Sequence, residues 1–235
     1  MSRPDCQDIG GSWYTVVPFG EAACLVQLAP QGRGVPSAAS VARLIAGAAW
    51  PGLHDVVPAA TTVLVRHDTF AWAAVDLAEH LAALLDAAGA AALPGGVPPV
   101  AHRPERTTVE LAVRYDGQDL DQVARMCRMQ VPEVVSRHVQ ASYVVAHLGF
   151  SPGFAYLDGL DPALEVPRLE RPRSRVAAGS VGIAGSQTCI YPSSTPGGWR
   201  LLGHTEALLF DPRRQPPALL QAGDRVRFVV SDAPG

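Results

Sequence analysis

Residues 180–205 read SVGIAGSQTCIYPSSTPGGWRLLGHT. Three short apolar runs, Ser180–Ala184, Thr188–Pro192 and Trp199–Leu202, are set apart by Gly185-Ser186 and by Pro196-Gly197-Gly198. Runs this short do not make stable helices, and the glycine and proline between them mark turns. The pattern continues on both sides, with Ser142–Phe150 before it and Ala207–Phe210 and Arg225–Val230 after it. Many short strands with tight punctuation predict a closed or partly closed β-barrel.

Working outward, Thr107–Tyr115 alternates Val109, Leu111, Val113 and Tyr115, a strand pattern. Asp119 followed by Gln122 forms a capping-box pattern for a helix through about Met129. Pro132 suits the first turn of a second helix ending near Gln140. Before these, GAAALPGGVPPVAHRPER (residues 89–106) reads as a linker. The predicted division is an N-terminal domain over 1–92, a linker over 93–106 and a barrel domain over 107–235. In the first part, Trp13–Phe19 and Ala22–Leu28 read as strands around Gly20. Ser37 can cap a helix over about Ala38–Trp50, stopped by Pro51-Gly52. His54–Val57 and Thr61–His67 are further strands, and Phe70–Ala88 is an Ala/Leu-rich helix. The expected fold class is α+β, a small sheet covered by two helices on one face and followed by the barrel.

The chain has 235 residues, is 48% hydrophobic and carries a net charge of −3, so nothing points to nucleic acid or to an anionic membrane surface. No apolar run approaches the roughly 18 residues of a membrane span, and MSRPDCQDIG has no apolar leader core, so a cytoplasmic location is expected. Cys6, Cys24, Cys127 and Cys189 form no C-x-x-C pair and read as free thiols. Every basic residue is arginine. The absence of lysine excludes a P-loop of the usual form and a lysine Schiff base. Anions must be handled by arginine forks, backbone N–H groups or histidine.

Gly149-Phe150-Ser151-Pro152-Gly153 matches G-x-S-x-G. A nucleophile elbow needs a helix after the serine, and Pro152-Gly153 followed by another Gly and Pro breaks that run. Ser151 therefore reads as a loop residue. Arg168 and Arg173 sit beside Pro167 and Pro172, ahead of Gly179-Ser180 and Gly182. Stiff guanidiniums beside a glycine-rich strand suit a carboxylate or phosphate, and equally suit structural ion pairs. Trp199 either walls a pocket or fills the core. His204 is the general acid/base candidate by context, with a satisfied core histidine as the alternative. His138 and His147 show no metal-ligand pattern, so no metal is expected.

Taken as ordered blocks, GFSPGFAYLDGLDP, PR, AAGSVGIAG, IYPSSTPGGWRLLGHT, LFDP and AGDRVRFV closely resemble the signature blocks of the 5-oxoprolinase B-subunit family. It is also called the allophanate hydrolase subunit 1 or carboxyltransferase C/D family, and it includes the kinase inhibitor KipI. Weaker matches, VPFGEAACLVQL, PGLHDVVPAATTVLVRHD and VELAVRYDGQDLDQVA, extend the resemblance over nearly the whole chain. It implies a small α+β domain followed by a cyclophilin-like β-barrel. It implies a bacterial protein that opens 5-oxo-L-proline to L-glutamate with relatives of the A and C components of 5-oxoprolinase, while ATP is hydrolysed, the ATP being shared with or bound by those partners. The catalytic candidates are His204, by its context, and Tyr191, which lies in a block that carries the resemblance. Arg168, Arg173, Ser180, Gln187, Gly153, Tyr156, Gly197 and Gly198 are the candidates for binding a small anionic substrate. Where the family usually has Pro, Gly and Arg, this chain has Ala177, Cys189 and His204. Two alternatives stay open: an inhibitor docking on a sensor histidine kinase, and a carboxyltransferase component served by a biotinylated partner.

Overall fold

The computed structural model describes residues 9–29, 35–91 and 108–231. They fall into two compact units, one within Met1–Glu105 and one within Arg106–Gly235. The expected linker, 93–106, lies outside the described residues.

The first unit contains β1 (Ile9–Gly10), β2 (Tyr14–Pro18), β3 (Ala23–Leu28), α1 (Ala38–Gly47), β4 (Leu53–Pro58), β5 (Thr62–His67) and α2 (Ala74–Ala91). The strands form one antiparallel sheet in the order β1-β2-β3-β5-β4. Strand side chains alternate between faces, so Tyr14 and Val16, Cys24 and Val26, and Val63 and Val65 all point one way and are buried. Val41 and Ile45 of α1 and Leu77, Leu81 and Leu85 of α2 join them in a single core. Both helices therefore cover the same face, as the sequence predicts.

Ser37 caps α1 as expected, its side chain accepting from the Ser40 N–H. The helix stops at Gly47 rather than Trp50, because Ala49 already takes a left-handed φ of 49° ahead of Pro51. α2 starts at Ala74 rather than Phe70. The Asp68 carboxylate accepts from the Phe70 N–H, and this local turn displaces the first helical turn.

The second unit contains β6 (Thr108–Val113), α3 (Leu120–Cys127), α4 (Val131–Gln140), β7 (Tyr143–Leu148), β8 (Ala155–Asp158) and a 3-10 turn over Pro162–Leu164. It continues with β9 (Arg173–Val176), β10 (Ser180–Ala184), β11 (Gln187–Ile190), β12 (Thr195–Gly197), β13 (Arg200–His204) and β14 (Arg225–Val230). Seven strands form a sheet in the order β13-β10-β11-β8-β7-β14-β6. All neighbours run antiparallel except β14 and β6. The two ends of this sheet meet where Arg114 and His204 exchange backbone hydrogen bonds of 2.8 Å, so the sheet is a nearly closed barrel. β9 and β12 form a separate two-stranded ribbon. The barrel core includes Val113, Val145, Leu157, Ile183, Leu202 and Phe228, with Val123 of α3 and Val134 of α4 packed into it.

The second unit departs from three expectations. Asp119 precedes α3 but makes no capping hydrogen bond, because its carboxylate is used elsewhere. α3 ends at Cys127, two residues early, where Arg128 takes a left-handed φ of 57° and closes the helix through its backbone N–H. Ala207–Phe210 is not a strand; only Phe210 makes an isolated bridge, to Ala218. His138 is a core histidine: the Tyr115 hydroxyl meets Nδ1 at 2.8 Å, Thr188 Oγ1 meets Nε2 at 3.1 Å, and the ring stacks on Phe228. Among the described residues no His/Cys/Asp/Glu group is placed to hold a metal, and no helix is long and apolar enough to cross a membrane.

Candidate functional site

The segment Phe150–Tyr156, which the sequence reads as loop, turns sharply and then enters β8. Ser151 N–H donates to Gly149 O and Phe154 N–H to Ser151 O, so the serine sits inside a tight turn. A strand follows rather than a helix. Ser151 Oγ is buried and has no partner among the described residues, so no base is set against it and no nucleophile elbow exists here. Gly153 has a φ of 81°, and a side chain there would press on Phe210 Cβ at 2.8 Å. Its role is to make the turn.

The turn delivers Phe154 and Tyr156 to the wall of a cavity of about 370 Å³. Tyr191, just after β11, and Trp199, just before β13, complete the wall. The rings lock one another in place: Phe154 lies 4.9 Å from Tyr156 and 5.3 Å from Tyr191, and Tyr156 lies 5.9 Å from Trp199. His147 stacks behind Tyr156 at 4.4 Å. Phe150 stands at the rim, 63% exposed, with a left-handed φ of 66°. The far side is the β9–β12 ribbon, which contributes Pro196 and Gly197, with Gly198 just beyond it. A side chain at Gly197 would collide with the Tyr191 hydroxyl, so glycine is what lets the ribbon close on that oxygen.

Among the described residues, Arg168 is the one charged side chain lining this cavity, its guanidinium carbon 5.4 Å from the Trp199 ring centroid. Arg173 instead takes the ion-pair alternative. It donates to Asp119 at 2.6 Å and to Trp199 O at 3.2 Å. The second Asp119 oxygen accepts from the Leu201 N–H at 2.7 Å. Arg200 works in parallel, donating to Pro167 O and to Gln122. Asp119 and Gln122, read as a local cap, thus hold through two arginines the segments that carry Arg168 and Trp199.

Tyr191 is 1% exposed, and its hydroxyl makes no well-formed hydrogen bond among the described residues. Burial pushes its pKa up. The Trp199 N–H, near but outside hydrogen-bond geometry, and the Arg168 and Arg173 guanidiniums pull the other way without prevailing. The phenol keeps its proton at neutral pH, so it is a hydrogen-bond donor there, not a base. Burial likewise raises Tyr156 against the pull of Arg168, and lowers His147 against that of Asp158.

Of the sequence-derived candidates, Tyr191, Arg168, Tyr156, Gly197 and Gly198 come together in this cavity. Ser180, Gln187, Gly153 and His204 do not line it. Gln187 donates to Asp158 at the far end of β11. Ser180 is buried opposite His204 on β13, and His204 Nε2 lies 3.2 Å from Glu206. Phe150, Leu169, Pro172 and Pro196 line the cavity although sequence pattern does not single them out as site residues. A signal for them exists: an aromatic and two prolines inside the most punctuated stretches of the chain.

Comparison with known proteins follows the same outline. The fold is shared with the urea carboxylase of Kluyveromyces lactis, at a TM-score of 0.63 and 20% identity over 93% of this chain and 22% of that one. The model for the carboxyltransferase domain, subdomain C and D, matches residues 14–220, so a carboxyltransferase-type domain is the class of protein. The B subunit of 5-oxoprolinase from Bacillus subtilis (strain 168) is 36% identical over 92% of both chains. The solved structure of TTHA0988 superposes with a TM-score of 0.74 at 36% identity, over 90% of this chain but only 41% of that one. The chain belongs to the 5-oxoprolinase B-subunit family.

Proposed function

We propose that this chain is the B component of an ATP-dependent 5-oxoprolinase that converts 5-oxo-L-proline to L-glutamate with relatives of the A and C components in the cytoplasm. The observation that carries this reading is the end-to-end match, 92% of both chains, to a protein of that name. The cavity supports it chemically. A small cyclic carboxylate needs a cationic fork, a hydrogen-bond donor and flat apolar walls, and Arg168, Tyr191 and the Tyr156–Trp199 pair supply them. These groups bind and orient the lactam, and the aromatic wall keeps bulk water from its faces.

ATP fits this cavity poorly. The described lining has one guanidinium and no lysine, against a triphosphate that needs several cationic or N–H partners. ATP is accordingly assigned to the partner components.

The test mixes the purified chain with relatives of the A and C components, 5-oxo-L-proline and ATP, and measures glutamate. Formation of glutamate only in the complete mixture is the expected result. No glutamate, with suppression of histidine-kinase autophosphorylation by the chain alone, replaces this reading with the inhibitor. Carboxyl transfer from a biotinylated carrier replaces it with the carboxyltransferase.

A further inference from the structure

The cavity's charge is one-sided. Among the described residues its lining offers the Arg168 guanidinium and the Tyr191 hydroxyl, and no carboxylate. Asp119, the acid tied to this wall from behind, is 5% exposed and already accepts from Arg173 and from the Leu201 N–H. A ligand carboxylate finds an oppositely charged partner here; an ammonium finds none of opposite charge among the described lining. Aromatic faces attract cations, but the indole of this wall already carries Arg168, and His147 stacks on Tyr156. A second positive charge would face Arg168, which is itself exposed, so the repulsion is moderate.

We infer that this pocket selects cyclic carboxylates whose nitrogen is acylated, and therefore uncharged, and rejects free amino acids bearing an ammonium group. The inference rests on the proposed function and adds a direction to it. Ring opening turns a lactam N–H into the ammonium of glutamate, so the product loses its fit as it forms. Tyr191 contributes to selection. Its buried hydroxyl lacks a well-formed partner, and a carbonyl or carboxylate oxygen of the ligand supplies one.

The test is ligand-observed NMR on the full chain, alone and with its C-component relative, using 5-oxo-L-proline, cyclopentanecarboxylate and L-proline. The first two share the ring and carboxylate with proline but lack its positive charge. They are expected to bind at least about tenfold more tightly than proline, since bringing an ammonium beside Arg168 with no opposite charge to meet it costs about that factor or more. Arg168→Ala should weaken both by about tenfold, and Tyr191→Phe should weaken 5-oxo-L-proline by about fivefold with the circular dichroism spectrum unchanged. Equal binding of proline, no binding of any of the three, or indifference to Arg168→Ala overturns the inference. Failure of the proposed function reads differently: the two ligands without an ammonium bind, yet the complete mixture makes no glutamate. Glutamate formation without this selectivity overturns the inference alone and puts the substrate elsewhere.

Discussion

Replacing Asp119 by alanine should unfold the barrel unit far more easily, although the residue touches no part of the cavity surface. Its side chain is 6% exposed and accepts two short hydrogen bonds, from Arg173 at 2.6 Å and from the Leu201 N–H at 2.7 Å. Removing one member of a fully buried ion pair costs about 3–5 kcal/mol. Arg173 retains 21% side-chain exposure and recovers some hydration, which places the pair at the lower end of that range. The Leu201 N–H, left without its acceptor, adds about 1 kcal/mol. The expected loss is about 3–4 kcal/mol, or a urea midpoint lower by about 1.5–2 M at a slope of about 2 kcal/mol/M. Asp119→Asn keeps an oxygen for Leu201 and should lose less. Urea unfolding followed by circular dichroism measures each variant, and the Asp119→Ala/Arg173→Met pair completes a double-mutant cycle. If Asp119→Ala lies within about 0.5 kcal/mol of the parent, or the two substitutions simply add, Asp119 does not anchor this wall.

Three further outcomes follow from the geometry. Burial lowers His138 to about 3, below the roughly 6.5 of the unfolded chain, so the unfolded state takes up the proton first. Stability is then full above about pH 6.5 and falls by up to about 1.4 kcal/mol per pH unit toward pH 3; chemical unfolding across that window should show a shallower slope in His138→Gln. Ser151→Ala removes a buried hydroxyl with no partner among the described residues and should leave glutamate formation unchanged, with stability equal or higher by about 1 kcal/mol; loss of activity would restore the nucleophile. Gly197→Ala drives a methyl group into the Tyr191 hydroxyl and should cost about 1–3 kcal/mol in a thermal melt and weaken 5-oxo-L-proline binding.

Strands whose runs are apolar and β-branched were legible, and β10, β11 and β13 lie close to where the spacing of residues 180–205 predicts them. β8 was hidden because Ala155–Asp158 follows Gly153 and precedes Gly159, so punctuation outweighed its Tyr156-Leu157 core. β9 and β12 were hidden because Arg173-Ser174-Arg175 and Thr195-Pro196-Gly197 have no apolar alternation; only each other's backbone makes them a ribbon. The candidate site was half legible. The family resemblance supplied Tyr191 and the glycines that line the cavity, and local pattern supplied Arg168. Local pattern assigned Asp119 and Gln122 to a nearby helix end, when their partners Arg173 and Arg200 lie 54 and 78 residues away. A capping box concerns four consecutive residues, and it has no way to register a stronger charged partner brought in by the fold.

The meeting of the barrel's two ends has a consequence for position 204. Closure there is made by main-chain atoms of Arg114 and His204, with neither imidazole nor guanidinium taking part in those two bonds. The seam is thus indifferent to which side chain the position displays, and a relative with arginine in place of His204 can zip the same staves together. What varies at 204 is free to serve other ends, because its load is carried by the peptide unit alone.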